Sequence, residues 1–178
     1  YKRQEYEHNK SRIVNIKSAI EDWIKKNNHK ENVSAEIKSI KKISEKFKED
    51  SLEIYLLASD TVLSFLAGKI IEEWLPKIVN KVEVKKLKVI EGLQIWDAKE
   101  FNKGMSNLIN EIFEIANYYW DNIIINITGG YKATIPFLTI LAQINGCPIY
   151  YIFENTDTLI KIPNIPLPQD WLNWEEIG

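Results

Sequence analysis

The stretch NIIINITGGYKATIPFLTILAQINGCPIYYIF, residues 122–153, decides the fold. It begins with a β-branched run, Asn122 to Ile127, that is typical of a buried strand. Two glycines follow, and Tyr131 to Ile144 then carries a helical pattern that Gly146 closes. Pro148 to Phe153 is apolar again. A strand, a helix and a second strand in this order predict a right-handed crossover between parallel strands.

The same alternation extends in both directions from this stretch. Upstream, Leu52–Ala58 and Val82–Ile90 read as strands on either side of a predicted helix, Thr61–Val79. A long predicted helix, Lys99–Tyr119, leads into residue 122, and Leu159–Ile162 adds a last strand that forms a hairpin with the preceding one. We therefore predict an α/β domain whose mainly parallel sheet is covered by helices on both faces.

Two amphipathic helices precede this core. Their apolar residues recur at helical spacing, with Asn32 as the candidate cap of the second helix. The first stripe consists of Ile13, Ile16, Ile20, Trp23 and Ile24, and the second of Val33, Ile37, Ile40, Ile43 and Phe47. We place one domain boundary near residue 50, which separates an N-terminal helical segment, residues 1–50, from a ligand-binding domain, residues 51–178.

Composition excludes several classes of protein. The 178 residues carry 23 Lys and Arg against 25 Asp and Glu, so no uniformly basic surface can hold a long nucleic acid. Any nucleic-acid ligand must be small and held locally. Cys147 is the only cysteine, and the histidines are His8 and His29, which provide neither a disulfide framework nor a zinc site. We predict no metal and no cofactor, and a reducing, cytosolic compartment.

Ligands of open α/β sheets bind at the carboxyl ends of the strands. The first loop at such an end contains Ser59, Asp60 and Thr61, directly before a predicted helix. Their hydroxyl and amide groups can hold a phosphate or a ribose. The alternative is that these residues cap the helix, which Ser, Asp and Thr do routinely.

The second loop contains Thr128, Gly129, Gly130, Tyr131 and Lys132. The glycines allow the backbone to approach a ligand closely, the following helix directs its positive end here, and the lysine adds a full charge. This pattern favours an anion site, although a tight turn with an exposed lysine is the alternative. The spacing matches neither the Walker loop nor the GxGxxG dinucleotide fingerprint.

A third candidate is Gln94, which follows a predicted strand and can offer its amide to the edge of a base. The alternative is an ordinary polar surface residue. The alternating aromatic residues Tyr150, Tyr151 and Phe153 are expected to pack in the core or at an interface rather than to stack on bases.

The sequence contains few candidates for catalytic residues. Arg3 and His8 share the spacing of a HEPN ribonuclease motif, which we interpret as coincidence because no helical bundle surrounds them. No histidine follows residue 50, and the acidic pair Glu72 and Glu73 lacks the spacing of a metal site. We therefore assign no catalytic residue.

Four stretches together resemble the CARF domains of CRISPR-associated effectors from type III systems. They are LLASDT (56–61), VIEGLQIWDAKEFNKGMSNL (89–108), NITGGYKATIPFLTILAQINGCPIYYIFE (126–154) and LIKIPNIPL (159–167). The resemblance covers about residues 52–168 and implies a Rossmann-like, dimeric sensor of cyclic oligoadenylates, most often cyclic tetra-adenylate. It gives Ser59 and Thr61 a role at ribose or phosphate, Gln94 a role at adenine and Lys132 a role at phosphate.

The resemblance also carries expectations about the rest of the protein. Such domains usually begin with a strand whose Gly/Ser/Thr loop touches the ligand, whereas this sequence begins with helices. It opens at Tyr1 with several basic residues and has Met105 as its only methionine, so we expect the natural start to lie upstream. This is similar to membrane effectors that join one N-terminal transmembrane helix to a CARF domain.

We therefore expect a cytosolic domain tethered to the inner membrane, a homodimer or higher homo-oligomer, that acts as a ligand-gated effector and not as an enzyme. The alternative is a ring nuclease that cleaves cyclic tetra-adenylate, with Lys132 stabilising the phosphorane and Ser59 positioning the 2′-hydroxyl.

Overall fold

The structure is a computed structural model that describes residues 9–27, 29–48, 50–153 and 156–165. Helices and strands alternate along most of these ranges. The helices are α1 (Lys10–Lys26), α2 (Ala35–Lys46), α3 (Val62–Ile78), α4 (Ala98–Ala116) and α5 (Ile135–Asn145). The strands are β1 (Leu52–Ser59), β2 (Val82–Ile90), β3 (Ile125–Asn126), β4 (Ile149–Ile152) and β5 (Leu159–Lys161).

The strand pairing confirms the predicted α/β class. β1 runs parallel to β2, from the pair Leu52 and Val82 to the pair Ser59 and Ile90, with one irregularity after Ile54. β3 runs parallel to β4, and β4 runs antiparallel to β5, as the predicted hairpin requires. Asn155 in the predicted hairpin turn lies outside the described residues.

Three local predictions are corrected. The strand predicted from residue 122 to 127 is reduced to Ile125–Asn126, because Trp120–Asn122 forms a 3-10 turn. α4 ends at Ala116 rather than Tyr119, since Asn117 adopts a left-handed conformation that stops the helix. Ser34, not Asn32, caps α2: its hydroxyl accepts a hydrogen bond from the Ile37 amide at 3.0 Å.

The sheet is built in two parts. Within the described residues β1 pairs only with β2 and β3 pairs only with β4, so β1 and β3 are not hydrogen-bonded to each other. A cleft of about 1330 Å³ lies between them and is lined by the consecutive residues 50–59 and 121–127. Successive side chains of a strand point to opposite faces of the sheet. Because every residue from 50 to 59 lines the cleft, β1 faces the cleft with its backbone edge.

Helices close the cleft on both faces. On one face, Ile37 and Ile40 of α2 pack with Leu75 of α3 and with residues of β1 and β2. On the other face, Leu108 of α4 packs in a cluster that includes Leu141 of α5. The second cluster also contains Leu57 of β1 and Ile90 of β2, so it joins the first half of the sheet to α5, the helix between β3 and β4.

The first helix is only partly used by the core. Ile13 and Ile24 pack with residues of α3, whereas Ile16 and Trp23 of the predicted apolar stripe are about half exposed. In the ranges that the structure describes, none of the helices combines the length and apolar character needed to cross a bilayer.

Glu111 anchors α4 to the outer strand β2. Its side chain is 2% exposed and accepts hydrogen bonds from Lys86, at 2.8 Å, and from Lys88. Burial raises the pKa of this carboxyl, but the two lysines outweigh burial and hold the pKa below its ordinary value of 4.5. The ionised form is therefore preferred in the folded state.

We expect Glu111→Gln to lower the free energy of unfolding at neutral pH by about 1–3 kcal/mol, because two charge-assisted hydrogen bonds are weakened. A lowered carboxyl pKa stabilises the fold above the unfolded pKa and loses that contribution as the pH falls through the folded pKa. The variant should therefore lose less stability on acidification below about pH 4.5 than the parent. Urea unfolding across this range measures both effects. Glu45→Gln, an exposed change of the same kind on α2, is the control; equal effects of the two variants would contradict the anchor.

Candidate functional site

The loops that follow β1, β2 and β3 all line the cleft. Parallel pairing directs the carboxyl ends of β1 and β2 the same way. Six of the nine predicted site residues line the cleft: Ser59, Thr61, Gln94, Gly129, Gly130 and Tyr131. Asp60, Thr128 and Lys132 do not line it.

The loop after β1 is held by hydroxyl groups. Thr61 is the N-cap of α3, since its Oγ1 accepts a hydrogen bond from the Ser64 amide at 3.2 Å. The capping alternative is therefore correct for Thr61. Ser59 Oγ lies 3.3 Å from Thr61 Oγ1 and shares a hydrogen bond with it, so both hydroxyls stand together on the cleft wall.

Asp60 ties two of the loops together. Its Oδ2 accepts a hydrogen bond from the Gly92 amide at 3.2 Å, and its own amide donates to the Leu93 carbonyl at 3.0 Å. Gly92 has a φ of +79°, a left-handed conformation that favours glycine. The carboxylate thus serves the contact between loops instead of facing the cleft.

Gln94 is buried, which corrects the alternative of an ordinary surface residue. Its side chain is 4% exposed, and Oε1 accepts a hydrogen bond from the Trp96 amide at 2.6 Å. Nε2 is buried and has no hydrogen-bond partner among the described residues. A buried donor without a partner destabilises a protein by about 1–3 kcal/mol, so an acceptor that reached Nε2 would recover that free energy.

Trp96 is a cleft residue to which we assigned no role from the sequence. Its side chain is 60% exposed and forms part of the cleft wall two residues after Gln94. An exposed aromatic ring beside an amide suits a planar base. Its place in a loop after a strand was the signal available in the sequence.

The loop from Thr128 to Lys132, here called the glycine loop, contains both fixed and open positions. Thr128 is fixed, because its Oγ1 accepts a hydrogen bond from the Ile152 amide at 3.0 Å. Gly130 has a φ of +96° and open space on its side-chain side, so a ligand can approach this part of the backbone. Tyr131 packs edge-on against Phe101, 6.0 Å between ring centroids, and its buried hydroxyl has no partner among the described residues.

The charges around the glycine loop differ from the predicted anion site. A Cβ atom at Gly129 would overlap the side chain of Glu36, so this carboxylate of α2 lies directly against the loop. Lys132 is exposed and begins the 3-10 turn Lys132–Thr134 that precedes α5. Within the described residues, the acidic residues that line the cleft are Glu36, Asp50, Glu53 and Asp121, and its lining holds no lysine or arginine.

The remaining candidates are accounted for by packing. Tyr150 is 3% exposed and contacts Phe47 edge-on, which confirms the predicted core role, whereas Phe153 is 57% exposed. Burial raises the pKa of the Cys147 thiol, which disfavours the reactive thiolate. The described ranges contain no cluster of three or more potential metal ligands, and Arg3 and His8 lie outside those ranges.

The model of a known protein family matches this sequence. It is described as CRISPR-associated protein (Cas_APE2256), and it matches residues 31–165. That range contains all nine predicted site residues together with Glu36 and Trp96. No curated protein matches the chain.

Gly104 of α4 sets the position of the loop that carries Gln94. A Cβ atom at Gly104 would overlap the backbone of Gly92 and Leu93, so α4 can lie this close only with glycine here. We expect Gly104→Ala to lower the free energy of unfolding by about 1–3 kcal/mol, because backbone must move to admit the methyl group. Thermal unfolding measures the loss. Asn110→Ala, an exposed change on the same helix, should stay within about 0.5 kcal/mol of the parent; a neutral Gly104→Ala would show that the contact is loose.

Proposed function

The chain belongs to the CRISPR-associated family Cas_APE2256, and we propose that it senses a cyclic oligoadenylate, with cyclic tetra-adenylate as the preferred ring. The family match supports a role in CRISPR defence. The observation that carries the finer proposal is a cleft that three loops line, with two buried polar groups, Gln94 Nε2 and Tyr131 OH, that have no hydrogen-bond partner among the described residues.

The chemistry of these groups suits an adenine nucleotide. Adenine offers ring nitrogens as acceptors, which the Gln94 amide and the Tyr131 hydroxyl can satisfy by donating hydrogen bonds. The exposed Trp96 ring provides a face for stacking beside Gln94. Ser59 can bond to ribose, and the open backbone at Gly130 admits a phosphate close to Lys132.

A cyclic ligand with repeated units calls for a symmetric receptor. A ring of four phosphates has two-fold symmetry, so two copies of the loop from Gly129 to Lys132 can each take half of it across a dimer axis. We therefore include a homodimer in the proposal, with a higher homo-oligomer as an extension.

The cleft also has a place in this proposal. The resemblance leads us to expect a first strand whose loop touches the ligand, and within the described residues the edges of β1 and β3 at the cleft have no strand partner. We propose that this strand fills the cleft. Its loop would then emerge between Ser59 and Gly130, at the centre of the site.

The primary test is calorimetric titration with cyclic tetra-adenylate and, separately, cyclic hexa-adenylate, for residues 1–178 and for the complete natural polypeptide. We expect the smaller ring to bind at one ring per two chains, and the complete polypeptide to bind more tightly if it supplies the strand. Absence of binding to both proteins would overturn the sensor proposal. Conversion of the radiolabelled ring to linear di-adenylate with catalytic turnover would show instead that the protein is a ring nuclease.

Two opposite charges beside the glycine loop should change affinity in opposite directions. We expect Lys132→Ala to weaken binding of cyclic tetra-adenylate about tenfold, because a cation at phosphate is lost. Glu36→Gln should strengthen binding about threefold or more, because the carboxylate repels the same phosphates. Calorimetry measures both, with Lys161→Ala and Glu45→Gln as exposed controls of the same charge. Unchanged affinity in both test variants would show that the ligand does not bind at this loop.

The resemblance leads us to propose a membrane-disrupting N-terminal helix as the output that the ligand controls. The test is co-sedimentation of the complete natural polypeptide with bacterial lipid vesicles, followed by release of a trapped dye on addition of cyclic tetra-adenylate. We expect sedimentation without ligand and dye release with it. A complete polypeptide that stays in the supernatant would exclude the membrane effector while leaving ring binding intact.

A further inference from the structure

The Glu36 carboxylate is a negative charge without a partner beside the glycine loop. Glu36 lies in the first turn of α2, lines the cleft and contacts Gly129. The ion pairs of α2 are formed by Lys38 and Lys41, and within the described residues the Glu36 carboxylate has no cation partner and accepts no hydrogen bond. The positive end of α2 favours a negative charge at this position.

The glycine loop offers hydrogen-bond donors that Glu36 does not use. In the part of the chain that the structure describes, the backbone amides of Gly129 and Gly130 donate no hydrogen bond. α5, which follows the 3-10 turn Lys132–Thr134, directs its positive end towards the same loop. A phosphate that accepted hydrogen bonds from these amides would lie against the Glu36 carboxylate, and the two like charges would repel each other.

A chain of three hydrogen bonds holds Glu36 at the loop. The Ser39 hydroxyl donates to the Glu36 carbonyl at 2.9 Å and accepts from Asn126 Nδ2 at 2.7 Å. Asn126 Oδ1 in turn accepts from the amide of Thr128, at the start of the glycine loop, at 3.1 Å. Ser39 is 0% exposed, so this chain is shielded from water. The backbone of Glu36 is therefore bonded to the loop that its side chain contacts.

We infer that Glu36 is an autoinhibitory group: it covers the side of the glycine loop that a ring phosphate needs, and ring binding moves the first turn of α2 away from the loop. A Cβ atom at Gly129 would overlap Cγ of Glu36 as well as its carboxylate, so rotation of the carboxylate about its last bond does not clear the loop. Ser39 and Asn126 are the positioning residues of this contact.

The inference rests on the proposed function, because it requires a ring phosphate at the glycine loop. It adds a route for the signal. α2 connects α1 to β1, so a movement of its first turn reaches the N-terminal helical segment.

Calorimetry with cyclic tetra-adenylate tests the competition, on residues 1–178 and on the complete natural polypeptide. Glu36→Ala should strengthen binding about tenfold, and more than Glu36→Gln, because it removes the Cγ contact together with the charge. Repulsion between charges alone predicts equal gains from the two variants. Equal gains, or no gain from Glu36→Ala, would overturn the inference.

A double-mutant cycle tests the positioning role of Ser39. Ser39→Ala should strengthen binding about threefold, because Glu36 is held less firmly at the loop, and should change nothing in the Glu36→Ala background. Ser44→Ala is the matched control, since it removes another hydroxyl of α2 that bonds to the Asn80 carbonyl instead of the loop. Additive effects of Ser39→Ala and Glu36→Ala would overturn the positioning role. Thermal unfolding checks that each variant is folded, and the exchange measurement below does not depend on Ser39→Ala.

Hydrogen exchange gives a readout that is independent of affinity. The amides of Ile37 and Lys38 are protected by hydrogen bonds to Ser34, at 3.0 and 3.1 Å. Ring binding to the parent should speed exchange at both amides, because the first turn of α2 is released, and should leave them unchanged in Glu36→Ala. A ligand that simply covered this turn would slow exchange. Slower or unchanged exchange in the parent would overturn the movement of α2.

The two proposals fail separately. Absence of ring binding by both the parent and Glu36→Ala would remove the sensor and, with it, the competition for the loop. Binding by the parent at one ring per two chains, without a gain in Glu36→Ala, would leave the sensor standing and overturn autoinhibition. Binding by Glu36→Ala alone would support both proposals.

Discussion

The packing of α2 across both halves of the sheet is the interaction on which the site depends. β1 and β3 share no hydrogen bonds, so the spacing between their loops is not set by a ladder. On one side of α2, Ile40 packs with β1, β2 and α3; on the other, the fully buried Ser39 hydroxyl accepts a hydrogen bond from Asn126 of β3 at 2.7 Å. α2 thereby fixes how far Ser59 lies from Gly129, and it brings Glu36 to the glycine loop.

Much of the fold could be predicted because hydrophobic patterns report burial. Val82–Ile90 is a strand over the range that the alternation indicates, and Gly146 closes α5 with a φ of +70°. The same hydrophobic patterns do not show which strands pair with each other. The run before Gly129 contains four isoleucines between residues 122 and 127, yet only two residues form a ladder, and β4 is their only partner strand among the described residues. Asn32 and Ser34 are both good caps, and the sequence offers no local means to choose between them.

The site was predictable where its signals are local. Glycines before a helix and polar residues after a strand mark loops at the carboxyl edge of a sheet, and six of the nine residues named on that basis line one cleft. Glu36 and Trp96 were missed for different reasons. Glu36 contacts Gly129 from a helix that is distant in the sequence, so no local sequence spacing indicates the contact. The burial of Gln94, and with it the unsatisfied amide, results from tertiary packing that a single polar letter does not show.

The close approach at Gly104 has a mechanical consequence. α4 touches the Gly92–Leu93 turn without room for a single methyl group, and Asp60 binds that turn to the loop after β1. Neither loop can shift without pushing on the other or on the helix. α4 has 19 residues, a rigid rod of about 28 Å at 1.5 Å per residue, and Glu111 joins it to Lys86 and Lys88 further along its length. A movement of the Gly92–Leu93 turn that shifted α4 would therefore also act on Glu111 and, through its two lysines, on the outer strand β2.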